Sequence, residues 1–253
     1  MKGKVCVMLL ALAVSARTAL SAQSAQSAED LLAMVDRNEV YASIQYSGRM
    51  TNLNEKRKRS EVKTFRAWVR GSADSFIEFT NREDRGIMYL KRGDDFQYYS
   101  PDNEVWRVLP EHMKKNLMGS ALSYEDTVEN EPLASRYNAV IAGSETWQGR
   151  DCWILDLRSK DRRKESYARR MLWIDKASGD LVRYALYALN GETVLKEYTL
   201  LRTKRFGARN FPVEMEIWDR QNRIRTTFVM DEDVLKLDEE IPDSVFRPRA
   251  PRR

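Results

Sequence analysis

The chain has 253 residues, of which 42% are hydrophobic and 32% are charged. This composition is sufficient for a packed core and excludes a disordered or collagen-like chain. Lys and Arg number 43 against 38 Asp and Glu, but Lys2, Lys4 and Arg17 lie in a segment with the pattern of a cleaved signal. Without them, 40 basic residues face 38 acidic residues, and a net charge of +2 disfavours nucleic-acid binding.

The N-terminus has the three parts of a secretory signal peptide. A basic start at residues 1–4 precedes an apolar run at residues 5–16, and Ala19 and Ser21 fit cleavage after Ser21. The apolar run is too short to cross a hydrocarbon core of about 30 Å, and no later segment approaches that length, so we predict no transmembrane helix. Cys6 precedes the apolar run, where it is badly placed for lipid attachment. We therefore predict a cleaved signal peptide at residues 1–21 and a periplasmic protein without a lipid anchor.

Few residues are available for disulfide, metal or nucleotide chemistry. After cleavage Cys152 is the one cysteine left, so no internal disulfide can form. It lies in an apolar stretch, residues 152–157, which predicts a buried thiol rather than a nucleophile. His112 is the single histidine, and the sequence has no CxxC, HExxH, P-loop or GxGxxG motif. We therefore predict no metal site and no cofactor.

The first predicted element is a short amphipathic helix at residues 29–38, where Leu31, Leu32, Met34 and Val35 form an apolar stripe. The alternation of apolar and polar residues that follows is typical of half-buried strands. These strands are predicted at residues 41–51, 63–69, 75–80, 86–91, 96–100 and 104–109.

The strand pattern breaks at residues 110–132, where residues 111–118 and 123–129 are predicted to be short helical or loop elements. Strand character then returns at regular spacing. The later strands are predicted at residues 137–146, 152–158, 168–175, 181–189, 193–203, 213–219 and 223–231. Between two of them, Asn190-Gly191 predicts a tight two-residue hairpin turn, because both residues accept a positive φ.

The strands together predict one large curved antiparallel sheet. Several are apolar on both faces, whereas Ile224, Thr226, Phe228 and Met230 form a one-sided row. Such a sheet can close around its own side chains as a packed barrel, or it can stay open and hold a hydrophobic ligand. The alternation alone does not distinguish the two.

Several segments, taken in order, resemble the outer-membrane lipoprotein-sorting protein family, which includes the relatives of LolA and LolB. The similarity covers approximately residues 29–246. The segments are WRVLP at residues 106–110, GSALSYED at 119–126, LWIDKASG at 172–179 with Arg183, NFP at 210–212, and IPDSVF at 241–246.

The resemblance implies a mainly β protein with a few helices, an open, incomplete antiparallel β-barrel covered by helices. It further implies one lipid-binding domain at residues 22–246, followed by a basic disordered tail at residues 247–253. The implied function is binding and transport of lipid or lipoprotein acyl chains in the periplasm. Each buried methylene contributes about 0.8 kcal/mol. An envelope sensor or scaffold would share the fold, and the oligomeric state stays open.

The candidate ligand-binding residues are aromatic and long apolar side chains, with residues 110–132 as the candidate mobile cover. They are Trp68, Trp106, Leu117, Met118, Leu122, Tyr124, Trp153, Trp173, Phe228 and Met230. Simple core packing is the alternative role for these side chains. Ser123 and Asp126 also have the spacing of a capping box at a helix N-terminus.

A lipid hydrolase is the alternative function, because His112, Ser120, Ser123 and Asp126 supply the residue types of an acyl-transfer triad within fifteen residues. No GxSxG motif accompanies them. The sequence therefore favours a binding protein over an esterase or phospholipase.

Three basic clusters are candidates for contact with a membrane surface. Acidic residues interleave the clusters at residues 56–59 and 160–170, which favours solvated turns there. For the Arg/Pro tail at residues 247–253, a transient contact with the membrane surface stays a hypothesis.

Overall fold

The computed structural model describes residues 26–39, 41–71, 73–93, 95–100, 105–108, 112–128, 132–162 and 165–247. The predicted signal peptide and residues 248–253 of the predicted tail lie outside these ranges. In the described part of the chain the protein is mainly β, with fourteen strands and three α-helices.

The first half of the chain contains one helix and six strands. They are α1 Ala28–Glu39, β1 Ser43–Asn54, β2 Arg59–Arg70, β3 Asp74–Phe79, β4 Met88–Arg92, β5 Asp95–Tyr99 and β6 Val105–Arg107. All seven were predicted from the apolar patterns, and each boundary falls within a few residues of its prediction.

The second half begins with two short helices and continues with strands. They are α2 Tyr124–Val128, α3 Leu133–Arg136, β7 Tyr137–Trp147, β8 Arg150–Ser159, β9 Arg169–Asp175, β10 Leu181–Tyr187, β11 Val194–Phe206, β12 Arg209–Asp219, β13 Ile224–Met230 and β14 Lys236–Leu237. The predicted strands are confirmed, whereas α3 and β14 were not predicted. Single 3₁₀ turns lie at Arg82–Asp84, Leu117–Gly119 and Asp243–Phe246.

The strands form one antiparallel sheet in the order β6-β5-β4-β3-β2-β1-β13-β12-β11-β10-β9-β8-β7, with β14 paired to β1. The chain builds outward from β1 to β6 and then returns from β7 to β13, so that β13 pairs with β1. Strands β6 and β7 are consequently the two edges, and the sheet is open. The predicted large antiparallel open sheet is confirmed.

One face of the sheet carries most of the core. In the β1–β13 pair Met50 lies opposite Phe228, and Asn52 lies opposite Thr226. In the β1–β2 pair Gly48 lies opposite Phe65. Because side chains alternate along a strand, these residues share one face, which we call the inner face. The predicted one-sided row from Ile224 to Met230 is therefore confirmed, and all four of its members are buried.

Two smaller clusters of buried side chains accompany the main core. Helix α1 places Leu31 and Leu32 against Leu155 and Leu172 of the sheet. On the outer face, the 3₁₀ turn Asp243–Phe246 packs against side chains of β2 to β5, including Phe76 and Leu90. Both ends of the described chain are thus attached to the same sheet.

The turn at Asn190-Gly191 differs from the prediction. Strand β10 ends at Tyr187 and β11 begins at Val194, so the connection is longer than two residues. The Asn190 side chain accepts the backbone N–H groups of Glu192 at 3.0 Å and Thr193 at 3.1 Å. This turn, built by the asparagine side chain, replaces the tight hairpin because it satisfies those two N–H groups locally.

Candidate functional site

The connection between the two edge strands passes over the inner face. Residues 112–128 of this connection are called the cover segment here. Leu117 and Ala121 of this segment are buried in the main core, with 5% and 0% of their surface exposed. Met118, Leu122 and Tyr124 are partly buried and pack against the same core. The cover segment therefore closes the inner face with its own apolar side chains.

A chain of buried polar groups holds the middle of the cover segment on the sheet. The Ala121 N–H donates to Thr226 Oγ1 at 2.8 Å, and the Thr226 hydroxyl donates to Asn52 Oδ1 at 2.9 Å. Asn52 Nδ2 in turn donates to the Met118 carbonyl at 3.2 Å. Thr226 and Asn52 are 0% and 4% exposed. Because a buried polar group without a partner is costly, this network fixes residues 118–121 over β1 and β13.

A second contact holds the start of the cover segment at the turn between β12 and β13. Asn116 Nδ2 donates to Asp219 Oδ2 at 3.1 Å, and Asn222 Nδ2 donates to Asn116 Oδ1 at 3.2 Å. Asn116 Nδ2 also donates to the Ser120 carbonyl at 2.8 Å, which closes the loop on itself.

The N-terminus of α2 is fixed by a buried charged cluster. The Ser123 N–H donates to Asp126 Oδ2 at 2.7 Å, which is the reciprocal bond of the predicted capping box. The Tyr167 hydroxyl donates to Asp126 Oδ1 at 2.7 Å, and the Lys196 ammonium forms an ion pair with the same carboxylate. Burial alone would raise the pKa of Asp126, but Lys196 and these hydrogen bonds hold it below its ordinary value.

The triad residues do not meet as a catalytic group. The Ser120 hydroxyl is fully buried and donates to the Leu122 carbonyl at 3.4 Å, while Ser123 and Asp126 contact Lys196. His112 lines a different cleft, described next. In the described ranges no hydrogen bond joins its ring to either serine or to Asp126. His112 is therefore not positioned as a base for Ser120 or Ser123 in the described part of the chain.

One cleft of about 420 Å³, the aromatic cleft, opens between the cover segment and strands β4 and β5. Its wall includes Tyr89, Tyr98 and Tyr124, with Met118 and His112 at its border. The Tyr89 and Tyr124 hydroxyls lie 3.4 Å apart. Burial, together with the Tyr124 hydrogen bond, raises the pKa of Tyr89, so the Tyr89 hydroxyl stays protonated at neutral pH.

A second cleft of about 470 Å³, the polar cleft, lies on the other side of α2. Lys196, Ser123, Glu125 and Asn222 are among its lining residues. Tyr124 lines the aromatic cleft, whereas its sequence neighbours Ser123 and Glu125 line the polar one. Both volumes fall within the range of about 300–1,000 Å³ that is usual for ligand pockets.

The ten predicted ligand-binding residues do not share one surface. Six of them meet at the inner face and its cover, namely Leu117, Met118, Leu122, Tyr124, Phe228 and Met230. Trp68 belongs to the outer cluster, where its ring lies 5.6 Å from Phe76. Trp153 packs in the cluster under α1. The side chain of Trp106 lies outside the described part.

Trp173 also points away from the inner face. It lies between Leu172 and Ile174 in β9, which pack under α1, so its side chain points to the opposite face. There its Nε1 donates to Glu145 Oε1 at 2.6 Å, and the Arg183 guanidinium lies 4.3 Å from the ring centre. Trp173 is nevertheless buried in the same extended core cluster as the inner-face residues, to which it contributes from the opposite face of the sheet.

Asn52, Thr226, Lys196 and Tyr89 contribute to the site although the sequence did not single them out for it. The sequence could have indicated the role of Thr226, since it is the one polar residue in an otherwise apolar row. It could not have indicated the role of Lys196, because its partner Asp126 is 70 residues away. Among the described residues, no helix is long and apolar enough to cross a membrane.

The open sheet and its cover segment define a protein with the LolA-superfamily fold. A LolA superfamily protein from Nitrosomonas europaea matches 88% of this chain and 98% of its own, with 16% identity and a TM-score of 0.70. A domain proposed to be an outer membrane lipoprotein-sorting protein from Vibrio parahaemolyticus matches 87% and 94%, with 20% identity and a TM-score of 0.72.

The sequence also matches the model of one protein family. A family model described as an uncharacterized protein matches residues 71–253, which is more than half of the chain, and the chain belongs to that DUF1329-like family. The structure of a DUF1329 family protein from Desulfovibrio piger matches 87% of this chain and 95% of its own, with 20% identity and a TM-score of 0.77. No curated protein matches this sequence.

Proposed function

We propose that this protein binds lipid acyl chains, including those of lipoproteins, and carries them through the periplasm. One observation carries the proposal. A broad apolar inner face is closed by a segment that polar side chains hold in place, rather than by a further strand of the sheet. The fold shared with a proposed lipoprotein-sorting domain supports this function.

The free-energy cost of replacing the cover segment by a lipid acyl chain follows from the contacts of the segment with the sheet. Displacing residues 118–121 would break the two hydrogen bonds that join them to Asn52 and Thr226, at a net cost of roughly 2 kcal/mol. Burial of about three methylene groups, at about 0.8 kcal/mol each, offsets this cost. Further methylene groups of an acyl chain would replace the apolar contacts of Leu117 and Ala121 with the inner face, which water does not supply.

The two clefts suggest how a lipid would be oriented. The acyl chain enters along the aromatic wall of Tyr89, Tyr98 and Tyr124 in the aromatic cleft. The ester and headgroup lie toward the polar cleft, where the Lys114 and Lys196 ammonium groups offer hydrogen-bond donors. In this arrangement Tyr124 and α2 separate the apolar part of the ligand from its polar part.

The direct test is native mass spectrometry of the protein purified without detergent, followed by organic extraction. We expect intact phospholipid or acylated peptide at near one-to-one stoichiometry. Fatty acid and lysolipid that accumulate during incubation would indicate hydrolysis instead. A protein that is empty and takes up no added phospholipid would contradict the proposal.

Thr226→Val tests the cover directly. The substitution keeps the side-chain shape but removes the acceptor for Ala121 and the donor to Asn52, which should weaken the closed state by about 1–3 kcal/mol. We expect a fluorescent fatty acid to load at least fivefold faster in stopped-flow measurements. Thr227→Val is the matched control, because Thr227 lies on the other face of β13. Equal loading rates in the two variants would contradict a gating role for the cover segment.

A further inference from the structure

Two turns that are distant in sequence meet at one end of the sheet. The β1–β2 turn contacts the β12–β13 turn through the Glu55 N–H, which donates to the Arg223 carbonyl at 2.9 Å. Lys56 Nζ also donates to the Gln221 carbonyl at 3.3 Å. The cover segment reaches the same place, because Asn116 is bonded to Asn222. We call this surface the basic end.

The acidic residues of the basic end are already paired. Glu55 forms ion pairs with Arg223 at 3.5 Å and Arg225 at 2.9 Å, and Glu61 pairs with Arg59 at 2.8 Å. The acidic residues that interrupt this basic cluster in the sequence are therefore already neutralised by arginines of the same protein.

Five cations of the basic end form no direct ion pair with a described carboxylate, although Lys114 acts on Glu125 at longer range. They are Lys56, Arg57, Lys58, Lys114 and Lys115, all exposed and without an ion pair to any described residue. Lys114 lines the polar cleft together with Gln221 and Asn222, and Lys56 reaches the same place through its hydrogen bond to the Gln221 carbonyl. Lys115 lines the aromatic cleft. A cluster of about four to eight such cations is the usual footprint of a protein on an anionic lipid surface.

Exposed apolar side chains stand beside these cations. Leu53 and Val62 are 40% and 57% exposed. Leu53 lies opposite Ser60 and Val62 opposite Thr51, so both occupy the outer face next to the turn. A nucleic acid would be recognised by the cations alone, whereas apolar side chains beside cations fit the boundary between headgroups and acyl chains.

We infer that the basic end docks on an anionic phospholipid bilayer, with the cations on the headgroups and Leu53 and Val62 at the acyl boundary. The rim of the polar cleft then faces the membrane. This docking does not require a bound acyl chain, so it stands or falls independently of the proposed carrier function.

The test is co-sedimentation of the purified protein with vesicles of phosphatidylcholine, alone or mixed with phosphatidylglycerol. We expect binding only to the mixed vesicles, and weaker binding at high salt. The triple variant Lys56→Gln, Arg57→Gln, Lys58→Gln should lose on the order of one hundredfold in partition, since each cation near the surface contributes roughly fivefold.

The matched control removes three exposed cations elsewhere, with Arg37→Gln, Lys160→Gln and Arg162→Gln. It carries the same change in net charge but leaves the basic end intact, and it should keep its binding. Equal loss in both triple variants would overturn the inference, as would equal binding to neutral vesicles. Preference for a single-stranded oligonucleotide over the mixed vesicles would overturn it in favour of a nucleic-acid partner.

A double variant, Leu53→Ser with Val62→Ser, tests the apolar part separately. Both side chains are exposed, so the fold should tolerate the change. We expect partition into mixed vesicles to fall roughly tenfold, with the salt dependence unchanged. Unchanged partition would overturn the placement of this hairpin at the acyl boundary.

Discussion

At the residue scale, the cover segment depends on a few polar side chains in apolar surroundings. Thr226 has no exposed surface, yet its hydroxyl serves both the Ala121 N–H and Asn52. An apolar residue at this position would leave the Ala121 N–H without its partner. The row from Ile224 to Met230 is therefore part of the site as well as of the core.

The Asp126–Lys196 pair should be the most sensitive polar contact of the cover. The two side chains are 8% and 10% exposed, so Asp126→Asn leaves a buried ammonium without its counter-ion. We expect a loss of about 3–5 kcal/mol in the free energy of unfolding, measured in urea. Asp151→Asn is the control, because its pair with Lys176 is 66% exposed on the aspartate side and should change stability by less than about 1 kcal/mol. Similar losses in the two variants would argue against a buried pair.

The same residue gives a pH dependence with a definite sign. The pKa of Asp126 is lowered in the folded state below its ordinary value of 3.8. Its contribution to stability is therefore complete above pH 3.8 and is lost as the pH falls through the lowered pKa. Urea unfolding in this acid range should show a pH-dependent component that Asp126→Asn lacks. Identical pH profiles would contradict the assignment.

At the scale of elements, α1 is attached to the sheet by a single apolar stripe. Ser27 caps it, since its hydroxyl accepts the Asp30 N–H at 3.0 Å. Leu31 is 0% exposed in the cluster that α1 forms with β8 and β9. The periodicity of the stripe predicted this helix because its buried face lies within the segment itself.

Leu31→Ala should destabilise the protein by about 2–5 kcal/mol, because it leaves a cavity between α1 and the sheet. Arg37→Ala changes an exposed residue of the same helix and should stay within about 0.5 kcal/mol of the unchanged protein. Thermal and urea unfolding measure both. A Leu31→Ala variant as stable as the Arg37→Ala variant would show that α1 does not support the sheet.

Helix α3 shows the opposite case, an element that the sequence did not predict. Its preceding residue, Pro132, offers no side-chain cap. Asp36 of α1 supplies the cap instead, accepting the N–H groups of Leu133 at 2.8 Å and Ala134 at 3.1 Å. The cap is 97 residues away in sequence, so only the tertiary structure brings it to the helix.

At the scale of the whole molecule, the outward and returning course of the chain leaves β6 and β7 as edges. Strand β7 is long and exposes Val140 by 59% and Ile141 by 38%. An unprotected edge of this kind promotes strand pairing between molecules.

Val140→Lys should reduce self-association at high protein concentration, because a charge on an edge strand opposes pairing with a second edge. Stability should change by no more than about 0.5 kcal/mol. Leu201→Lys is the control, since Leu201 is 44% exposed on β11, which is not one of the two edge strands. Sedimentation velocity over a range of concentrations checks both variants. An equal effect of the two lysines would show that the edge is not the site of association.

The sequence by itself determined where the strands and α1 lie, and which face of each strand is apolar. These properties depend on neighbours within a few residues, such as the alternation from Ile224 to Met230. The tertiary structure alone decided which aromatic side chains face the cover and which pack elsewhere, as Trp68 and Trp173 do. It also paired Thr226 with Asn52, 174 residues apart, and Lys196 with Asp126, 70 residues apart. Contacts at such separations depend on the order of strands in the sheet, which local periodicity does not encode.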